Sequence, residues 1–359
     1  MQKISWWRTS IGQEEINRIV DSISKEYISQ GPMVSQLEDD LARALDVPYV
    51  VVTTSGSVAL LLACMALDIG PGDEVIVPDR TWIATAHAPL ILGAKVVLAD
   101  VLHNIPVIDV FQINKHITSR TKAIMPVHLN GRACDMEEIN KLAGDHGISV
   151  IEDAAQAMFS KNSNGFLGAQ SDIGCFSLGL AKFMSTGQGG FAVTRNKKLY
   201  EKLILVRNHG LTNNFHPTFL QIGCNFRFND ILASVGIEQL KKKDAKASRI
   251  NKIYAKYEKE IKKLPFIKII PVNVSNGEIP LYIEALCNER DKFMKFMESK
   301  GIDCRPALPN VHEAPHIESS GDFPKAEVFS KKGLVLPCGP DQPLENIDRV
   351  IETIHSYNQ

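Results

Sequence analysis

Several features that announce a protein's class are missing from this sequence. There is no CxxC pair. The seven cysteines, Cys64, Cys134, Cys175, Cys224, Cys287, Cys304 and Cys338, are scattered and odd in number, which argues against a zinc site or a disulfide framework and fits a reducing cytoplasm. There is no excess of one charge. Lys+Arg 40 against Asp+Glu 41 leaves −1, so nothing points to nucleic acid or an anionic membrane as partner. Long apolar runs are absent too. The longest, VALLLACMAL (58–67), is too short to span a bilayer. The opening MQKISWWRTSIGQEEI lacks the apolar core of a secretion signal. No GxGxxG follows the first apolar run, which disfavours a dinucleotide-binding dehydrogenase. Repeats and low-complexity linkers are also lacking. These absences predict a soluble, cytoplasmic protein without a metal site.

What is present is the composition of an ordinary globular chain. Its 359 residues are 44% hydrophobic and 23% charged, enough for a substantial core and two domains. From residue 50 to about 210, short apolar runs alternate with helical patterns. YVVVTT (49–54), EVIVP (74–78), KVVLAD (95–100), KAIMPVHL (122–129), SVIED (149–153), IGCFS (173–177) and GFAVT (190–194) read as strands. Segments such as SVALLLACMAL and MEEINKLAGDHG between them read as helices. This alternation predicts an α/β fold with a mostly parallel sheet sandwiched by helices. Residues 229–263 then read as one long helical stretch, and shorter strands and helices follow. We place the boundary at 240, with a large domain over 1–240 and a smaller α+β domain over 241–359. The first 30 residues are expected to pack on the smaller domain or on a partner subunit. The basic cluster KKKDAKASR (241–249) reads as a solvated helix face rather than a phosphate patch.

Ligands of open parallel sheets sit at the carboxyl ends of the strands, and several of those ends carry chemistry. TSGS runs directly into an apolar helix, so Gly56 and Ser57 offer free N–H groups and a positive dipole end to a phosphate. Alternatively, Ser55 or Ser57 merely caps the helix. Asp153 ends the strand SVIED, where a carboxylate needs a partner. That partner is either a core cation or helix end, or a protonated ring nitrogen. Trp82, in PDRTWIATAHA, is either core or a face for a planar ligand. Lys182, in LGLAKFMSTGQGG, comes before its glycines, the reverse of a P-loop. It is either a surface charge or a desolvated amine with a lowered pKa, able to act as a nucleophile. One ligand accounts for all four features. Pyridoxal 5'-phosphate has a phosphate, a planar ring, a ring nitrogen that needs a carboxylate and an aldehyde that needs a lysine.

With those residues in view, the sequence resembles a known family. TSGSVALLLACMALDIGPGDEVIVPDRTWIATAHA, AIMPVHLNGRACDM and VIEDAAQA look like the DegT-type sugar aminotransferases, fold-type I pyridoxal-phosphate enzymes that aminate nucleotide-linked keto sugars. The likeness extends from SQGPMVSQLEDDLA (29–42) to FPKAEVFSKKGLVLP (323–337). It implies that Lys182 carries the cofactor as a Schiff base and that Asp153 keeps the pyridine nitrogen protonated. Gln156 would lie near the ring hydroxyl, and Trp82 would stack on the ring. Gly56, Ser57 and Ser177 would bind the phosphate. Asn225, in GCNFRFND, would reach the phosphate of a neighbouring subunit, making a homodimer with shared active sites. His209, Arg227, Arg305 and His312 are candidate sugar or diphosphate contacts, or else structural ion pairs and caps. The implied reaction moves an amino group from L-glutamate or glutamine to a nucleotide-linked sugar, favouring a 4-keto-6-deoxyhexose. A 3-keto sugar aminotransferase, or a dehydratase or lyase of the same fold, is the alternative. Met158 replaces a frequent family histidine, Leu178-Gly179-Leu180 replaces FYP, and Gln188 replaces an acidic residue. These departures bear on which sugar is taken.

Overall fold

The computed structural model describes residues 3–211, 217–319 and 321–357. Seven strands form the central sheet: β1 (Tyr49–Thr53), β2 (Glu74–Pro78), β3 (Lys95–Ala99), β4 (Thr121–Ile124), β5 (Ser149–Asp153), β8 (Ile173–Ser177) and β9 (Gly190–Thr194). A two-residue-per-strand hairpin, β6 (Lys161–Asn162) and β7 (Gly165–Phe166), lies between β5 and β8 in the chain. The sheet order is β1-β9-β8-β5-β4-β2-β3. β9 runs antiparallel to both neighbours, and the other pairs are parallel. Runs such as VVV and VIV are buried along their length, as expected where helices cover both faces.

Strand β9 squeezes past the start of the first buried helix. Thr53 and Ser177 both pair with Gly190. A Cβ on Gly190 would stand 2.4 Å from the Ser55 carbonyl carbon, so only glycine lets the end of β1, the end of β8 and the helix N-terminus meet here. The sheet thereby brings three chemically loaded chain ends to one place.

The second sheet is antiparallel, with order β10-β11-β13-β12. Its strands are β10 (Ile267–Ile269), β11 (Ile283–Cys287), β12 (Arg305–Pro306) and β13 (Gly333–Leu336). The N-terminal arm joins this part of the chain. Ile4 bridges to Ile302 and Trp7 to Cys338, and Trp6 O accepts from Cys338 N at 2.8 Å. Helix 13–24 packs instead on helix 230–241.

Two elements differ from the sequence reading. The stretch 229–263 is two helices, Asp230–Lys241 and Lys243–Ile261. They part at Lys242, whose side chain turns to Glu15 at 2.8 Å. The first packs on helices 13–24 and 32–45, the second on helix 344–355 and β10. The strand expected over 122–129 ends at Ile124. Pro126 has no N–H for the ladder, and Asn130 adopts φ 57°. The chain turns there, and Asn130 bonds to the backbone of Tyr282 in both directions, Nδ2 to O at 3.0 Å and N to Oδ1 at 2.5 Å. That turn ties the two sheets together. Among the described residues no helix is long and apolar enough to cross a membrane, and no group of three or more His, Cys, Asp or Glu is placed to hold a metal ion.

Candidate active site

A cavity of about 750 Å³ opens at the carboxyl ends of β1, β5 and β8. At its base, Asp153 is buried. Its Oδ2 accepts from Thr85 Oγ1 at 2.7 Å and its Oδ1 from Ala155 N at 3.1 Å. Burial pushes its pKa up, while Thr85, the Ala155 N–H, Lys182 and His128 hold it down. The sequence singled out Asp153 but not its partner Thr85. Thr85 lies three residues beyond Trp82, on the first turn of helix 84–91, and also bonds to Thr81 Oγ1 at 2.8 Å.

Lys182 stands on the loop after β8. Burial brings its pKa down to about 8, against the opposing pull of Asp153. The loop folds back on itself through Leu178 N to Gly189 O at 2.8 Å and Thr186 N to Leu178 O at 3.0 Å. Gly187 (φ 81°) and Gly189 (φ 149°) make the return, where a side chain would be strained. Phe183 and Met184 are buried and anchor the far side, whereas Leu180 is exposed. The apolar setting of Lys182 is therefore one-sided. Two distant groups clamp the segment before the lysine. Tyr282 donates its hydroxyl to Ala181 O at 2.7 Å, and Thr9 donates to Leu180 O at 2.8 Å.

Ser55 Oγ accepts from Val58 N at 3.2 Å, so Ser55 is the cap of helix 56–66. The N–H groups of Gly56 and Ser57 belong to the first turn, which has no intrahelical acceptors. A Cβ on Gly56 would stand 2.8 Å from Ser177 Cβ. Glycine is thus required for the helix start and the strand end to form a cradle. Gln156 also lines the cavity and accepts from Asn130 N at 3.0 Å. Trp82 lines it with 57% of its surface exposed, which makes it a face open to a planar ligand rather than core.

The structure thus brings Lys182, Asp153, Gly56, Ser57, Ser177, Gln156, Trp82 and Arg305 to one cavity. Arg305 is at the mouth, its guanidinium 5.3 Å from the Trp6 ring centre. Four other candidates lie outside the lining. His312 takes the structural alternative. It bonds to Asp79 through Nδ1 at 2.7 Å and through its N–H at 2.8 Å, and stacks on Phe323. Asn225 is exposed and accepts from Arg227 Nε at 3.0 Å, and His209 N bonds to Cys224 O at 3.1 Å. Among the cavity residues without a role in the sequence reading, three carry ionisable side chains. They are Arg80, from the end of β2, and Tyr282 and Glu284, which reach the cavity from the second sheet.

These residues fit pyridoxal phosphate. The cradle suits a phosphate, Asp153 suits a ring nitrogen, and Lys182 is an amine near neutrality. Passing an amino group between substrates is the chemistry such a set serves, which defines the chain by class as a transaminase. Comparison with known proteins agrees. The sequence model of the DegT/DnrJ/EryC1/StrS aminotransferase family matches residues 9–355, and the chain belongs to that family. Pyridoxal phosphate is the family's cofactor.

Two relatives are each 33% identical to this chain. One is the GDP-perosamine synthase of Escherichia coli O157:H7, aligned over 99% of this chain and 99% of its own. The other is the dTDP-3-amino-3,4,6-trideoxy-alpha-D-glucose transaminase of Streptomyces venezuelae, with 95% and 90% covered. The solved structure of S. venezuelae DesV in complex with a ketimine intermediate superposes with a TM-score of 0.93, at 29% identity, over 99% of this chain and 98% of that one. The chain is a sugar aminotransferase of this family.

Proposed function

We propose that this enzyme takes an amino group from L-glutamate, or glutamine, and places it on a nucleoside-diphosphate-linked keto sugar, a 4-keto-6-deoxyhexose in preference to a 3-keto sugar. The observation that carries the amino transfer is Lys182, held near a pKa of about 8 and facing the cavity that Asp153 closes. The sugar class rests on the GDP- and dTDP-sugar relatives.

Pyridoxal phosphate, when bound, supplies the carbonyl carbon that takes the amino group and a ring that takes up an electron pair. Each protein residue then has a defined task. Gly56, Ser57 and Ser177 would hold the phosphate. Asp153 would hold a proton on the ring nitrogen, which favours electron flow into the ring. Gln156 and Trp82 would fix the plane of the ring. Lys182 Nζ would take the proton from the donor's α carbon and return it on the other side of the transferred nitrogen. With a pKa of about 8, about half of the amine is unprotonated near pH 8, so it can serve as base and then as acid. The second half of the cycle runs the same proton moves in reverse on the keto sugar.

The same reading makes the enzyme a cytoplasmic homodimer. Ile16, Val20 and Ile23 stand exposed on helix 13–24, at spacings that share one face, as expected of a side awaiting a partner. Asn225, Arg227 and His209 cluster outside their own chain's cavity and would complete the partner's. Residues 1–240 would form the cofactor-binding part of each subunit and 241–359 the smaller part. The test is to load purified enzyme with cofactor, add L-glutamate, and then offer GDP- and dTDP-linked 4-keto and 3-keto sugars. Product mass and NMR should show one new amine, on C4. A deoxygenated sugar without donor consumption would instead establish a dehydratase. Native turnover by Lys182→Ala would end the assignment of that residue.

A further inference from the structure

Resting on the amino-donor reading above, we propose that Arg80 is the residue that reads the donor's carboxylate. Arg80 lines the active-site cavity and is only 3% exposed. Its Nη1 donates to Leu308 O and, at 3.5 Å, to Asn310 Oδ1. Both acceptors are neutral. Its Nε has no partner among the described residues. Two other arginines also have an unpartnered buried Nε, Arg18 and Arg207. Each of those holds a carboxylate, Glu238 at 3.3 Å and Glu38 at 2.6 Å respectively. Arg80 holds none within 4.0 Å among the described residues.

The acidic groups near Arg80 are engaged elsewhere. Glu284 is bound by Arg132 at 2.5 Å and by Asn130 at 3.1 Å. Asp79 is taken by His312. Glu313 accepts from Ser330 at 3.3 Å. Burial depresses the Arg80 pKa, and the nearby acids counter it only in part. A buried guanidinium without a counter-ion is costly, and the cavity it lines receives anions by function. The Nε of Arg80 is shut off from the cavity, but Nη2 is not and has no hydrogen bond among the described residues. A carboxylate accepted at that end of the guanidinium supplies the missing charge and a charge-assisted hydrogen bond together.

Both substrates are anionic, so the shared chemistry is a guanidinium facing oxyanions. Depth separates the two sources. Arg80 is buried, which suits a compact carboxylate. Arg305 is exposed at the mouth, which suits a bulky, hydrated diphosphate.

The experiment uses cofactor-loaded wild type, Arg80→Lys and Arg80→Met, with glutarate as an unreactive dicarboxylate and GDP as the diphosphate probe. Binding is measured by calorimetry, and the two half-reactions are followed separately by the cofactor's absorbance. We expect glutarate affinity and the glutamate half-reaction's kcat/KM to fall at least tenfold in both variants, since lysine lacks the guanidinium. GDP binding and the keto-sugar half-reaction should stay within twofold. Arg80→Lys keeps the test alive if Arg80→Met does not fold. Unchanged glutarate binding overturns the proposal, as does loss of GDP binding with or instead of glutarate binding. Failure of the amino-donor reading would look different, because wild type itself would then not react with glutamate.

Discussion

Replacing Thr85 by valine isolates the electrostatics at the base of the site. The two side chains have nearly the same shape, and Thr85 is fully buried, so packing is kept while one O–H is removed. That O–H is the 2.7 Å donor to Asp153 Oδ2. A hydrogen bond to a charged group contributes about 1.5–3 kcal/mol. Its loss weighs most on the ionised form of Asp153, the stronger acceptor, which keeps the Ala155 N–H as donor; the contact to Thr81 is lost in both forms. At 1.36 kcal/mol per tenfold, the ratio of ionised to neutral Asp153 drops about 10- to 150-fold in the variant before cofactor is added. Burial already raises the Asp153 pKa, and the substitution moves it in the same direction. The acid limb of the pH–rate profile should therefore shift toward neutrality, and cofactor affinity should fall most at low pH. Stopped-flow measurement of the glutamate half-reaction from pH 5.5 to 9, with parallel cofactor titrations, reads both effects. Superimposable wild-type and Thr85→Val acid limbs would refute the claim that Thr85 tunes Asp153.

Three further outcomes follow from the same geometry. Gly56→Ala puts a methyl 2.8 Å from Ser177 Cβ, an overpacking of about 1–3 kcal/mol sited in the phosphate cradle. Cofactor titration should show at least tenfold weaker binding, more than for free phosphate-independent ligands such as glutarate. Lys182 and Lys246 both have pKa values lowered from 10.5 to about 8 by burial. The unfolded chain thus binds more protons between about pH 8 and 10.5, and cofactor-free protein should gain stability as pH rises through that window. Denaturant titrations should show a smaller gain in Lys246→Met, whose cofactor absorbance stays native. Finally, two inactive proteins, Lys182→Ala and Asn225→Ala, should regain part of the wild-type rate when unfolded together and refolded as mixed dimers. No regain would place Asn225 outside the partner's site.

How much of this was legible in the sequence depended on where the determining contacts lie. Asp153, Ser177 and the Gly56-Ser57 turn each follow an apolar run, and strand ends are where a parallel sheet puts its ligands. Local sequence marked Asp153 and the Gly56-Ser57 turn as candidates with structural alternatives beside them, and the family resemblance added Ser177. Lys182 was legible from the apolar residues around it, Leu178, Leu180, Ala181 and Phe183. Thr85 was missed because its partner is 68 positions away. Arg80, Tyr282 and Glu284 were missed for a related reason. Their roles come from the packing of the second sheet on the first, which no periodicity encodes. The break at Lys242 was hidden for want of a glycine or proline. At the break Lys242 pairs with Glu15, a long-range contact with no local mark. The end of β4 at Ile124 was in principle readable from Pro126, but the apolar run around it was stronger.

The hydroxyl of Tyr282 that holds Ala181 acts across 101 positions of chain. A ribosome adds about 5–20 residues per second. The loop bearing Lys182 is therefore synthesised some 5–20 s, at those rates, before the tyrosine that braces it. During that interval the first sheet can form while the reactive amine hangs on an unbraced loop. The amine acquires its final setting late in the molecule's birth, so cofactor capture should be among the last events of biogenesis, and nascent chains cut before Tyr282 should hold it poorly.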